Sequence, residues 1–279
     1  MTPEAYCQEK AARSGSSFYY AFLFLPPPRR AAITALYAFC REVDDVVDES
    51  TDPSLAARTL QWWREEIERL YEGAPTHPVT RALAPHLAPF RITKNRLLEI
   101  IAGMEMDLHQ SRYLDFVGLA HYCHHVAGVV GQLSSNIFGA VDPGSEAYAE
   151  KMGLAVQLIN IIRDVGEDAR IGRIYLPVDE LKRFNVPAAD LLNGRSSPQF
   201  IELMRFQAER AKKIYVEALA LLPPVDRRVQ RTGLIMGAIY RTLLDEIERA
   251  DFAVLDQRIA LTPVRKLWIA WRTWVGTRS

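Results

Sequence analysis

Apolar positions recur at helical spacing along nearly the whole chain, and the alternating apolar/polar runs that mark strands are scarce. The periodic segments are separated by Pro, Gly, Asp and Thr, residues that punctuate helices. This pattern predicts helices over 3–14, 28–49, 54–72, 78–89, 94–110, 115–140, 145–168, 198–221, 225–251 and 263–275. Helix-start chemistry stands at several of these: Pro26-Pro27-Pro28, Asp52-Pro53, Thr93 and Thr262-Pro263. The longest stretch without periodicity is 169–197, with Gly172, Pro177, Pro187 and Asn193-Gly194. Its Ile174, Tyr175, Leu176, Leu181 and Phe184 call for burial, so it reads as a packed connection and not as a linker. No internal repeat is visible. The expectation is an all-α, single-domain helical bundle over 1–279.

Two of the predicted helices carry carboxylates in a pattern that needs explanation. In the second, Tyr37, Arg41, Asp44 and Asp48 fall within an arc of roughly 60° at about 100° per residue. Ile33, Cys40, Val43 and Val47 lie on one side of that arc; Glu42, Asp45 and Glu49 lie on the other. Asp44 and Asp48 are a like-charged i,i+4 pair at the apolar border. Such a pair costs about 0.2–0.5 kcal/mol on an exposed helix and more when desolvated. Arg41 or a bound cation would compensate. A lone pair of this kind more often belongs to a solvated acidic face.

The helix over 145–168 changes that balance. Gln157, Asn160, Asp164 and Asp168 share a stripe roughly 80° wide, with Arg163 pointing away from it. Leu154, Val156, Leu158, Ile159, Ile161, Ile162 and Val165 cover most of the remaining circumference. A helix apolar nearly all round is buried, so its polar stripe lines a cavity or is paired across the core. Two such stripes with no His or Cys among their members form a hard oxygen set of the kind that suits Mg²⁺ bridged to phosphate oxygens. The residues by themselves thus point to Mg²⁺-dependent chemistry on a diphosphate in a helix-walled central cavity. A buried Asp/Arg network is the structural alternative.

Composition removes other classes. The 279 residues carry 34 Lys+Arg against 34 Asp+Glu, which speaks against a nucleic-acid binder. With 49% hydrophobic and 24% charged residues the chain is not a disordered segment. No apolar run approaches the ~18 residues of a membrane span. Cys7, Cys40 and Cys123 lack metal-ligand spacing and read as free thiols in a reducing cytoplasm. The first 15 residues lack the apolar core of a secretory signal.

Three further features carry weaker signals. His121, His124 and His125 cluster without an acidic or Cys partner at ligand spacing. Gly128 and Gly131 suit close helix packing or close substrate approach, since no strand precedes them as in a phosphate loop. The C-terminal segment places Trp268, Trp271 and Trp274 at i, i+3, i+6 among Arg265, Lys266, Arg272 and Arg278. It reads either as a closing helix or as an interfacial one in peripheral contact with the inner face of the cell membrane.

The two acidic segments resemble the aspartate-rich motifs of the squalene/phytoene synthase family. Tyr37 to Asp48 matches Tyr-Ala-x-Cys-Arg-x-x-Asp-Asp-x-x-Asp, and Gln157 to Asp168 matches Gln-Leu-x-Asn-Ile-x-Arg-Asp-x-x-Glu-Asp. The resemblance extends to Ser17-Phe18-Tyr19-Tyr20-Ala21-Phe22, Gly103-Met104-Glu105-Met106-Asp107, Tyr122-Cys123 with Val126 to Gly131, and Arg173-Ile174-Tyr175-Leu176-Pro177. Within the family the opening segment, the Gly103–Asp107 run and the short length look most like the bacterial HpnD type, the presqualene diphosphate synthases of the hopanoid pathway. One departure is His125, which stands where squalene synthases have a second tyrosine before Val-Ala-Gly.

The resemblance implies the isoprenoid-synthase fold and a head-to-head condensation of two farnesyl diphosphates to presqualene diphosphate. It implies two or three Mg²⁺ ions held by Asp44, Asp48, Asp164 and Asp168 with Asn160 nearby, and no NADPH for this step. Arg41, Arg173 and, ranked lower, Arg163 are implied diphosphate partners, with Ser17, Tyr37 and Gln157 beside them. Phe18, Phe22, Tyr122 and Tyr240 are aromatic candidates for shielding a carbocation, each also readable as ordinary core. The expected partners are the two farnesyl diphosphates, other pathway enzymes and the membrane surface, with no nucleic acid. Rival readings are a phytoene, dehydrosqualene or squalene synthase, and a non-catalytic assembly factor of the same fold. All four aspartates together with Arg41 and Asn160 speak for catalysis.

Overall fold

The computed structural model of the chain describes residues 1–13, 21–50 and 52–277. Ser17 and Phe18, and the terminal Arg278, lie outside them. Among the described residues there is no strand, only an isolated bridge between Arg112 and Ile174. The helices are α1 (Pro3–Arg13), α2 (Pro27–Asp48), α3 (Pro53–Tyr71), α4 (Pro78–Leu83), α5 (Lys94–His109), α6 (Phe116–Cys123) and α7 (Val129–Phe138). They continue as α8 (Gly144–Arg170), α9 (Val178–Arg183), α10 (Ala188–Leu192), α11 (Pro198–Leu221), α12 (Arg231–Arg249) and α13 (Pro263–Gly276). A π-helical turn, His124–Gly128, joins α6 to α7.

The local signals do what their chemistry predicts. Asp52 accepts from the Ser54 amide at 2.9 Å to start α3, and Ser197 accepts from the Phe200 amide at 3.1 Å to start α11. α4 is shorter than the apolar pattern suggests. Pro85 has no amide hydrogen to offer the Arg81 carbonyl, so the α-helical ladder breaks and the chain passes into a 3₁₀ turn at Ala84–His86. α12 begins at Arg231 and not near 225, because Asp226 is engaged elsewhere. Its buried carboxylate accepts from the amides of Val141 and Asp142 and from Ser145 Oγ, tying this turn to the start of α8.

α8 is the central helix. Its buried residues run from Ser145 to Ala169 and face in nearly every direction, as the sequence predicts. It packs on α7, α11 and α12. Gly131 of α7 and Gly153 of α8 permit the closest approach. A Cβ at Gly131 would meet the Ala149 carbonyl oxygen at 2.4 Å, and one at Gly153 would meet that of Ala127 at 2.5 Å. One apolar cluster gathers around α8, α11 and α12; a second gathers around α2, α3 and α5. The central cavity lies between them.

The stretch 169–197 contains α9 and α10 and is anchored throughout. Gly172, at φ +79°, turns the chain back at the end of α8, and the Arg173 amide bonds to the Asp168 carbonyl at 2.9 Å. The amides of Ile174 and Val178 then bond to the carbonyls of Ser111 and Tyr113. Ile174, Tyr175, Leu176 and Leu181 are buried. No described helix is long and apolar enough to cross a membrane.

Candidate functional site

The cavity measures about 890 Å³ and runs beside α8 from an open mouth to a closed floor. α2 and α8 both end at the mouth, and both bring carboxylates there: Asp44 and Asp48 from α2, Asp164 and Asp168 from α8. Helix C-termini carry partial negative charge, so four carboxylates at two such ends concentrate unfavourable charge in one place. Burial, with the charge of Asp48, pushes the Asp44 carboxyl up to about 7. Burial, with the charge of Asp164, pushes Asp168 up to about 8.

Arginines partly offset this charge. Arg41 donates to Asp44 Oδ2 at 2.5 Å and also pairs with Asp45, which Lys10 contacts at 2.8 Å from behind. Arg173 Nη1 donates to Asp48 Oδ1 at 2.7 Å, across the mouth. Arg163 departs from the expectation of helical geometry. It bends back along its own helix and donates from Nε to Asp164 Oδ1 at 2.6 Å, which brings it into the site. A long, flexible side chain can reach a stripe that its Cα does not face.

The donor set fits a hydrated divalent cation bridged to phosphate. All four carboxylates are hard oxygen ligands, and Asn160 Oδ1 is buried with no hydrogen-bond partner among the described residues. Asn160 Nδ2 meanwhile donates to Gln157 Oε1 at 3.3 Å. Among the described residues no three His, Cys, Asp or Glu side chains converge on one point. Opposed pairs suit Mg²⁺, which keeps several waters and takes further oxygens from phosphate, better than a closed protein cage does.

Below the mouth lies a group that spacing did not reveal. Tyr122 donates to Asp107 Oδ2 at 2.8 Å and Tyr175 donates to Asp107 Oδ1 at 2.9 Å. The two rings stack at 5.2 Å and 24°. Burial pushes Asp107 up to about 6 while the two hydroxyls oppose the shift. Tyr122 was an aromatic candidate from the sequence; Asp107 and Tyr175 appeared only within longer matching runs. Arg258, Glu167 and Lys266 were missed as well. Arg258 Nε lies 3.5 Å from Asp164 and 3.6 Å from Glu167, and Lys266 of α13 lines the wall. Basic residues in a connection and on a terminal helix gave no sign of facing inward.

The other sequence candidates divide. Tyr37, Gln157 and Tyr240 line the cavity. Phe22 is buried and meets the edge of Tyr37 at 6.1 Å. Ser17 and Phe18 fall outside the described residues. His124 does have acidic neighbours, supplied by other helices: Glu150 at 3.0 Å and Glu99 at 3.8 Å. Of the three tryptophans, Trp274 packs against Phe24 at 5.2 Å, while Trp268 and Trp271 are exposed.

The family model for squalene/phytoene synthase matches residues 11–265. The chain is 40% identical over 279 aligned positions to a phytoene synthase of Arthrospira platensis, covering 94% of this chain and 89% of that one. It is 35% identical to the 15-cis-phytoene synthase of a Synechocystis strain, covering 96% and 85%. A crystal structure of a dehydrosqualene synthase with ligand superposes with a TM-score of 0.87 at 28% identity, covering 98% of this chain and 96% of that one. The squalene synthase HpnC from Alicyclobacillus acidocaldarius gives 0.79 at 27% identity, covering 90% and 94%.

Proposed function

Because this chain belongs to the squalene/phytoene synthase family, a family of prenyltransferases, we propose that it condenses two farnesyl diphosphates head to head to presqualene diphosphate, releasing diphosphate in a Mg²⁺-dependent reaction. The observation that carries this reading is the facing of Asp44 and Asp48 against Asp164 and Asp168 over one long, largely apolar cavity.

In this reading Asp44, Asp48, Asp164, Asp168 and Asn160 Oδ1 would hold Mg²⁺, which when bound neutralises charge on the leaving diphosphate. Arg41, Arg163 and Arg173 exchange part of their carboxylate contacts for diphosphate oxygens through charge-assisted hydrogen bonds. Tyr37 and Gln157 orient the same group. The allylic C–O bond breaks with its electron pair leaving on diphosphate. The C2=C3 alkene of the second substrate attacks the cation, and loss of a proton closes the cyclopropane. Val126, Val130, Met152 and Val156 exclude water from the cation, and the faces of Tyr122 and Tyr240 stabilise it.

A second reading, condensation of two geranylgeranyl diphosphates to phytoene, draws support from the identity to phytoene synthases. Incubating the purified protein with Mg²⁺ and either diphosphate, with and without NADPH, and identifying extracted products by mass spectrometry separates the two. Presqualene diphosphate from the C15 substrate supports the first; phytoene as the sole product replaces it. Failure to bind Mg²⁺ and either diphosphate would revive a non-catalytic assembly role.

We also place the enzyme in the cytoplasm, resting on the membrane through α13. Val264, Leu267, Trp268, Trp271 and Val275 are 42–77% exposed and fall within an arc of roughly 100° on its outward face. Arg265 and Arg272 border that arc, and Lys266 on the same helix lines the cavity. An interfacial helix of this kind suits an enzyme with greasy substrates and products.

A further inference from the structure

The floor of the cavity is polar, which an apolar tail does not call for. Tyr148 and Ser135 are 1% and 2% exposed, both line the cavity, and neither hydroxyl has a hydrogen-bond partner among the described residues. Gln230 completes the floor. Its Nε2 donates to the Ser135 carbonyl at 3.0 Å, which fixes the amide and leaves Oε1 toward Gly233. Gly233 borders the same groups. A Cβ there would meet Tyr148 Oη at 3.2 Å and both Gln230 Oε1 and the Phe138 ring at 3.8 Å.

Two buried hydroxyls without partners are costly, so a small polar occupant at the floor is favoured. Water is the natural small polar occupant, because Tyr148, Ser135 and Gln230 all line this end of the cavity. The floor also lies at a telling depth. Tyr148 and Asp164 are separated by sixteen residues of α8, about 24 Å of helix axis. At about 1.25 Å of advance per carbon–carbon bond, an extended farnesyl chain runs roughly 14 Å and a geranylgeranyl chain roughly 19 Å. With the diphosphate occupying the start of the channel, the shorter tail stops above the floor and the longer one reaches it.

We propose that Tyr148 and Ser135 are specificity-determining residues. Their hydroxyls hold water at the cavity floor, and a tail long enough to displace that water strands them unpaired. The floor therefore disfavours the C20 substrate relative to the C15 one. This rests on the reading that the cavity takes prenyl diphosphates. A hydrophobic wall alone discriminates an extra apolar unit weakly, whereas leaving a buried polar group unpaired adds a penalty that grows with each group stranded.

The test is the ratio of kcat/KM for geranylgeranyl over farnesyl diphosphate, measured with Mg²⁺ on the full chain. In Tyr148→Phe combined with Ser135→Ala, which remove the hydroxyls and keep the shape, this ratio should rise about tenfold. Gly233→Ala, which adds a methyl at the floor, should lower it. A ratio that stays within about twofold of the unaltered protein's in the double variant overturns the inference. If the double variant does not fold, an unchanged ratio in Gly233→Ala overturns it instead. Should the unaltered protein turn over neither diphosphate, the reading of the site falls and this inference with it. Turnover with an unmoved ratio removes the floor's role alone.

Discussion

Arg173 Nη1 lies 2.7 Å from Asp48 Oδ1, joining the turn after α8 to the last residue of α2 across 125 positions of sequence. The contact exists because Gly172 reverses the chain at the end of α8 and the Ile174 amide is pinned to Ser111. It closes one side of the cavity mouth and sets a guanidinium beside the acids of both helices.

Replacing Arg173 by Leu removes that guanidinium while keeping bulk. A charge-assisted hydrogen bond is worth about 1.5–3 kcal/mol, so kcat/KM for farnesyl diphosphate is expected to fall roughly 10- to 100-fold. Steady-state kinetics on the Leu and Lys variants checks this. Lys should recover only part of the loss, because it cannot offer the bidentate fork.

Asp44→Asn and Asp164→Asn are expected to separate stability from activity. Asp44 is strained by burial and by Asp48, so its neutralisation should raise the metal-free melting temperature at pH 8 by roughly 2–5 °C. Diphosphate release should nonetheless drop at least about 100-fold in both variants if these carboxylates hold the ion. Unchanged turnover in both, with folding confirmed by circular dichroism, removes the metal assignment.

Mg²⁺ should stabilise the protein more at high pH than at low. Asp44 and Asp168 have carboxyls raised to about 7 and about 8 from 3.8. Between pH 4 and these values the folded state binds more protons than the unfolded chain, so their contribution to metal-free stability falls as pH rises through that window. A cation neutralises the ionised carboxylates but must displace protons below about pH 7. Thermal melts with EDTA or excess Mg²⁺ at pH 5.5, 7 and 8.5 should show a metal-induced shift that grows with pH. A shift that is flat or shrinks counts against carboxylate coordination at this mouth.

The outward stripe of α13 predicts membrane contact that is lost on removing its aromatic residues. Trp268→Ser with Trp271→Ser should reduce co-sedimentation with anionic liposomes several-fold and leave the melting temperature within about 2 °C, since both side chains are exposed. These point variants are preferable to truncation after Leu261, which would also remove Lys266 from the cavity wall and uncover the face that receives Ile269 and Ala270. Equal liposome binding by the variant and the unaltered protein would discard the membrane role.

The helix-borne half of the candidate site was legible because it obeys a local rule. On α8 the apolar residues leave only one stripe polar, and that stripe holds Gln157, Asn160, Asp164 and Asp168, all of which line the cavity. The other half obeys no local rule. Asp107 meets Tyr175 across 68 positions of sequence, and Arg258 meets Asp164 across a distance that no periodicity spans. Arg163 was misplaced for a different reason: a helical wheel locates Cα atoms, and a guanidinium on a flexible stem goes where the charge is.

Sequence by itself determined the helical class, the central position of α8 and the two acid stripes, since each follows from spacing along a single helix. Only the tertiary structure decided that both stripes end at one mouth, that Arg258 and Lys266 turn toward it, and that the opposite end is floored by Tyr148, Ser135 and Gln230. Helical periodicity is written in neighbours three and four apart. Which helix ends meet, how deep the space between them runs and what closes it depend on packing between segments far apart in the chain, where contact is set by shape and burial and leaves no local period to read.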